Sequence, residues 1–310
     1  VDRGVPILPS TSAWDELGLG LNGEVPLGKS GKFDYRIYVV NGAVLDFELE
    51  EVIKTRDPKR DEIELEGEFG MSTGTFSNDI KEAKAVTGRV AFSPALGHEI
   101  GLSGYWGRYT PQFLIGKNLT SVGFDFLSGI KGFQIEGEFI YTQLGGLQAV
   151  LTDFAAQLGN SEAEVSSEDS PDLETKLEFG PSGLASKKYG YWVELRYSFR
   201  PPWLKNSWFG NHFSDPQLIP IVRWEQAFLD GLVTDFEAVG NAVTALVQEN
   251  RFVNRATAGL AFRLNPLAVF QLAYEYTWTN DGKSLATVTN YLATPSSSNQ
   301  AVMFGVAFGF

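Results

Sequence analysis

The chain has 310 residues, with 38 Asp and Glu against 25 Lys and Arg, a formal net charge of -13, 33 Gly, 7 Trp, 11 Tyr, 23 Phe, two His and no Cys. Without cysteine there is no disulfide, no thiolate nucleophile and no sulfur-based zinc site, and the acidic balance argues against a nucleic-acid binder, whose affinity comes from clustered Lys and Arg on phosphates. No apolar run reaches ~18 residues, so no transmembrane helix is encoded, and without an initiator Met or a signal peptide Val1 reads as a processed or truncated start.

The periodic signal is β. Period-two alternation predicts strands at 13–22, 33–42, 85–94, 98–107, 118–128, 132–142, 188–199, 218–228, 251–264, 267–278 and 301–310, eleven in all. At 188–199 Tyr189, Tyr191, Val193, Leu195, Tyr197 and Phe199 alternate with Lys188, Gly190, Trp192, Glu194, Arg196 and Ser198. At 251–264 Arg251, Arg255, Thr257 and Arg263 oppose Phe252, Leu260, Phe262 and Leu264. At 267–278 Phe270, Leu272, Tyr274, Tyr276 and Trp278 face away from Gln271, Ala273, Glu275 and Thr277. The last ten residues put Val302, Phe304, Val306, Phe308 and Phe310 on one face, against Ala301, Met303, Gly305, Ala307 and Gly309 on the other.

Strands in soluble proteins are typically about 5–6 residues, whereas a tilted strand crossing a bilayer needs about 9–11. The fold class expected is therefore all-β, a transmembrane antiparallel β-barrel in a single domain over 1–310. Its bulky face, with Phe304, Phe308 and Phe310, would meet lipid, and Trp14, Trp192, Trp224 and Trp278 near strand ends would form interfacial belts. The competing fold is a soluble all-β protein with a one-sided core.

The connections fall into two sets. Those at 23–32, 95–97, 129–131, 200–217 and 265–266 share the periplasmic end, where the terminal aromatic strand places the C-terminus; those at 43–84, 108–117, 143–187, 229–250 and 279–298 share the outer end. Segment 200–217, rich in Pro and Trp, breaks the pattern of short inner turns and reads as an ordered plug-like elbow. Gly145–Leu158 and Leu232–Val247 have helical character; such a segment either folds inward to narrow the lumen or serves lid packing or a trimer contact. An odd strand count leaves residues 1–12 outside, so strands are expected upstream of this sequence.

Charge is segregated. Segments 43–84, 143–187 and 229–250 together hold 24 acids and 8 bases, leaving 14 acids and 17 bases elsewhere. These carboxylates either bind divalent cations such as calcium among lipopolysaccharide head groups and shape the field at a pore mouth, or are solvated loop surface. No EF-hand spacing is present, and no cofactor is otherwise implied.

Trp14-Asp-Glu-Leu-Gly-Leu-Gly-Leu-Asn-Gly23, Phe33-Asp-Tyr-Arg-Ile-Tyr-Val-Val-Asn-Gly42, Gly88-Arg-Val-Ala-Phe-Ser-Pro94 followed by Glu99-Ile-Gly-Leu-Ser-Gly104, and Leu218-Ile-Pro-Ile-Val-Arg-Trp-Glu225 together resemble the phosphate-selective porin O/P-like family of bacterial outer-membrane porins, from about residue 13 to the C-terminus. The resemblance implies a sixteen-stranded barrel, commonly trimeric, with several strands preceding the region seen here. The arginine ladder and constriction lysines of phosphate-selective members have no residue-by-residue match in this sequence, so phosphate selectivity is not implied.

With the small-residue face turned to the lumen, Arg36, Arg89, Arg196, Arg223, Arg251, Arg255 and Arg263 would line a pore with Glu136, Glu138, Glu194, Glu225 and Glu275, joined by Glu16, Asp34, Glu99 and Asp125. A mixed lining gives weak selectivity, and Arg251, Arg255 and Arg263 could form a basic track favouring anions. In the alternative, these groups pair across strands and stabilise the wall. The expected function is passive diffusion of small hydrophilic solutes or inorganic anions through an outer-membrane porin. A structural barrel anchoring a surface layer or sheathing an electron-transfer partner is the rival. His98 and His212 sit at the inner end, far from outer-leaflet lipid, and no catalytic constellation is apparent.

Overall fold

In the computed structural model, described for residues 16–57, 60–72, 84–165, 174–179, 184–213, 215–239, 242–279 and 297–308, alternation of bulky and small side chains draws most of the chain into strands. They are β1 (Gly18–Leu27), β2 (Gly31–Asn41), β3 (Val44–Asp57), β4 (Arg60–Ser72), β5 (Lys84–Ala95), β6 (His98–Arg108), β7 (Asn118–Ile130), β8 (Phe133–Leu144), β9 (Glu174–Phe179), β10 (Ala185–Tyr197), β11 (Gln217–Val239), β12 (Ala242–Asn265), β13 (Ala268–Thr279) and β14 (Ser298–Phe308). The helices are α1 (Leu147–Val165), α2 (Pro202–Lys205) and α3 (Trp208–His212). Eleven strands form one antiparallel path, β1-β2-β5-β6-β7-β8-β10-β11-β12-β13-β14, with β3, β4 and β9 branching from it. The all-β antiparallel class and the eleven-strand wall agree with the sequence. Among the described residues β1 and β14 are not paired with each other, so the sheet has two edges.

Register fixes the faces. Leu195 stands opposite Val222, which stands opposite Ala258 and then Tyr274 and Val302, while Glu194, Arg223, Thr257 and Glu275 line up on the other side. Among the described residues no second layer covers the bulky side. Phe304 is 71% exposed and Phe308 63%, and Leu21, Ile37, Val90, Leu102, Val122, Phe139, Val222, Leu260 and Leu272 are exposed with them. A soluble sandwich would bury this face; among the described residues it is open. Phe310 lies outside the described residues.

Rings form two rows on the bulky side. One runs Tyr141, Tyr189, Phe228, Phe252, with centroids 6.3, 4.8 and 4.4 Å apart. The other holds Phe133 on Tyr197 at 4.2 Å, Tyr197 by Phe199 at 5.4 Å, and Phe270 edge-on to Phe308 at 6.4 Å. Trp224 and Trp278 pack edge-on at 5.6 Å on this side. Trp192 does not belong to a belt; it lies mid-strand on the charged face, opposite Glu138 and Glu225. Trp14 is outside the described residues.

The two ends of the wall differ as the connections predict, with several corrections. β1 lies five residues later than expected, and the turn occupies 28–30 instead of 23–32, because Gly28 adopts φ 69°, a left-handed conformation that a side chain disfavours. Within the expected loop 43–84, Val44–Asp57 and Arg60–Ser72 pair as a hairpin, β3 with β4: the acids alternate with apolar residues, as in Ile63-Glu64-Leu65-Glu66. The strand pair β11–β12 continues into 229–250, so 232–239 and 242–247 are strand where helical character was expected for Leu232–Val247. Val233, Thr234, Val243, Thr244 and Val247 are β-branched and favour this conformation, and Gly231, at φ 64°, admits the register shift between Leu229 and Leu232.

The helix expected in 145–158 is present. Leu147, Val150, Leu151, Phe154 and Ala155 of α1 form one buried stripe, clustered with Leu45, Tyr109, Leu114, Leu119, Leu144, Val233 and Phe236. Phe154 stacks on Phe47 at 4.2 Å. Leu119 and Leu144 share the parity of the charged face, so this core lies against the inner side of the wall at the long-connection end. Burial pushes the Tyr109 phenol above its usual range, and its hydroxyl donates to Gly145 O at 3.1 Å.

The 200–217 elbow is not a plug. Phe209 of α3 packs edge-on at 5.4 Å against Phe262, a member of the bulky face, and Trp203 and Trp208 are exposed. The elbow is thus anchored on the outer side of the short-turn rim.

Candidate functional site

Twelve side chains expected to share a face do so. Arg36, Arg89, Arg196, Arg223, Arg251, Arg255, Arg263, Glu136, Glu138, Glu194, Glu225 and Glu275 all have the parity opposite to Phe304 and Phe308. The register brings most of them into two clusters, because strand neighbours at the same height are about 5 Å apart.

The first cluster spans β8 and β10–β13. Arg196 pairs with Glu136 and Glu194. Arg223 reaches Glu225 at 2.6 Å and Glu194 at 3.8 Å. Arg255 reaches Glu275 at 3.2 Å and Glu225 at 3.6 Å, and its Nε donates to Thr277 Oγ1 at 3.2 Å. Arg223 stacks over Trp192 with its guanidinium carbon 4.3 Å from the ring centroid, and Trp192 Nε1 donates to Glu138 Oε2 at 3.0 Å. The side chains of Arg255 and Glu225 are each only 2% exposed. A guanidinium so placed neutralises carboxylates on both sides, and its own desolvation is offset only while those partners remain.

The second cluster spans β5–β7. Arg89 meets Glu99 at 2.7 Å and Asp125, and Ser93 Oγ donates to Glu99 Oε2 at 3.0 Å. Its side chain is 29% exposed. Arg36 is exposed opposite Arg89 on β2.

The basic track of Arg251, Arg255 and Arg263 is not a run of open charge. Arg251 pairs with Glu249 at 2.6 Å, Arg263 with Asp215 at 3.5 Å, and Arg255 as above. Cross-strand and along-strand pairing therefore describes these arginines. Trp192, Thr277, Asp215 and Glu249 were missing from the sequence-based set. Trp192 had the right parity and could have been found by it; Asp215 lies before β11, where parity says nothing.

Neither histidine organises a reaction centre. His98 Nδ1 is 3.0 Å from Ser128 Oγ on the neighbouring strand, with no carboxylate bonded to the ring among the described residues. His212 Nδ1 contacts Trp208 O at 2.7 Å and the ring stacks on Trp208. No group of three or more metal-binding side chains occurs among the described residues. The carboxylates of 48–57 and 60–70, with the calcium expectation attached to them, lie outside the described side chains.

No family model and no curated protein matches the chain, so the resemblance to the phosphate-selective porin O/P-like family rests on the quoted segments alone. Among solved structures, one similar chain is the outer membrane channel DcaP of Acinetobacter baumannii, at 13% identity over 96% of this chain and 75% of that chain, with a TM-score of 0.33.

Proposed function

We propose that this chain forms the wall of a bacterial outer-membrane channel, a porin through which small hydrophilic solutes diffuse passively, and that it is not an enzyme. One observation carries the reading: a single-layer sheet exposes its bulky face while its arginines and carboxylates occupy the other. In water such a face is far larger than the apolar patch a monomer usually exposes; against hydrocarbon it is at home. The two rows of rings support the placement. Tyr189 and Tyr197 are eight residues apart on β10, roughly 26 Å along the strand at ~3.3 Å per residue. At a tilt of about 40° that is about 20 Å along the membrane normal, comparable with the ~25 Å apolar band of such barrels.

Backbone groups at a sheet edge cannot be left unpaired in lipid. The edges β1 and β14 must therefore be joined, to each other or through further strands; sixteen strands would place five more between them. Outer-membrane lipid and lipopolysaccharide are the partners of the bulky face, and a homotrimer is the assembly we infer. The pairing of Arg251, Arg255 and Arg263 leaves weak selectivity the simpler expectation.

The near-complete burial around Arg255 and the α1 core against the inner face favour a second reading, a structural barrel whose interior is filled. Planar-bilayer recording of the purified protein separates the two. A porin gives ohmic single-channel currents; a protein that inserts without conductance and co-purifies with a stoichiometric partner sinks the porin and supports the scaffold.

A further inference from the structure

The inner face is not chemically uniform. Away from the buried ion network, the inner side of β1, β2 and β5–β8 lines an open hollow of about 490 Å³, within the range of roughly 300–1,000 Å³ typical of small-molecule sites. Its polar lining is hydroxyl, from Tyr38, Thr87, Ser103, Tyr105 and Ser121, with Glu16 the one charged group and no Lys or Arg among the described lining residues. Tyr105 OH donates to Glu16 Oε1 at 3.0 Å and accepts from Ala43 N at 2.9 Å, which fixes the ring. Ser103 is exposed in the lining, in the row of Gly123 and Ile140 beside Arg89. Its neighbour is Gly123, where a Cβ would come within 2.4 Å of Ser103 Oγ, so the glycine keeps room for that hydroxyl.

On the channel reading above, we propose that the solute route follows this hydroxyl-lined surface and that its substrates are neutral polyhydroxylated molecules, sugars and polyols. Hydroxyl groups rotate to donate or accept as needed, so they can replace the hydration of a solute that itself carries alternating donors and acceptors. Tyr38 and Tyr105 add ring surface for the C–H face of a sugar. The lining residues themselves carry no cation; of the guanidiniums that border them, Arg89, opposite Ser103, is held by Glu99 and Asp125, and Arg36 stands beside it on β2, so an anion meets the Glu16 carboxylate and no ring of opposite charge, which selective ion passage needs.

The chain contains no cysteine, so Ser103→Cys supplies a unique thiol at nearly constant size. The variant is reconstituted into proteoliposomes and only then treated with a bulky methanethiosulfonate, which separates blockage from misfolding. Arabinose permeation of the variant, read by vesicle swelling, is expected above the empty-vesicle background before treatment and at that background after it. Unchanged arabinose permeation after complete labelling overturns the route. A wild-type protein that conducts chloride but passes no arabinose overturns the substrate class while leaving a channel, and one that passes neither overturns the channel itself.

Discussion

Two ion clusters occupy the same face of the same sheet, and they obey different energetics. Arg255 with Glu225 and Glu275 is sealed from solvent, whereas Arg89 with Glu99 and Asp125 keeps close to a third of each side chain in contact with it. The residue types are alike, and the buried contacts are the longer ones, 3.2 and 3.6 Å at Arg255 against 2.7 Å from Arg89 to Glu99. What differs is the medium: a pair in low dielectric is strongly coupled but costly to desolvate, and a wet pair is weak and screened. A run of arginines along a strand is therefore no measure of the charge that a passing solute would meet.

The largest effect that would test this contrast is expected at Arg255→Ala. Removing the guanidinium takes a buried partner from both Glu225 and Glu275, leaving Glu225 its contact with Arg223, and breaking such a buried pair typically costs about 3–5 kcal/mol. Urea unfolding of the protein in lipid vesicles should show it, and a loss below about 1 kcal/mol would mean that the cluster is wet after all. A somewhat smaller effect is expected where charge is added to the opposite side. Phe304→Arg at mid-height of the apolar band should cost about 2–4 kcal/mol in vesicles; indifference would place that face in water. The smallest is Arg89→Ala, at ~1 kcal/mol or less. Its effect should shrink further at 1 M salt, where the Debye length is about 3 Å, whereas the loss at Arg255 should be nearly insensitive to salt.

Alternation was enough to recover the wall, because each strand has one face in a single medium from end to end. The same logic placed all twelve expected charges on one side, and the spacing of Leu147, Val150, Leu151 and Phe154 revealed α1. The misreadings came where two signals competed. In Ile63-Glu64-Leu65-Glu66 the density of acid hid a period of two, and in Leu232–Val247 an apolar run looked helical until β-branching is weighed. Trp192 was read as a belt residue on its type when its parity assigned it to Arg223. The difference in burial between the two clusters is not carried by parity, which assigns both to the same face and says nothing of how deep each lies.

The short strand β9 runs parallel to β4, pairing 62–67 with 174–179, and antiparallel to β11 through 236–239. Its partners are thus separated from one another by well over a hundred residues of chain, so bringing them together carries a loop-closure entropy that hairpin contacts do not. The wall can zip from neighbour to neighbour, but this crown of strands can set only after β4 and β11 have been carried to the same rim. Its assembly is expected to follow that of the sheet, so that a lesion confined to 174–179 would delay maturation of that rim without preventing the sheet beneath it from forming.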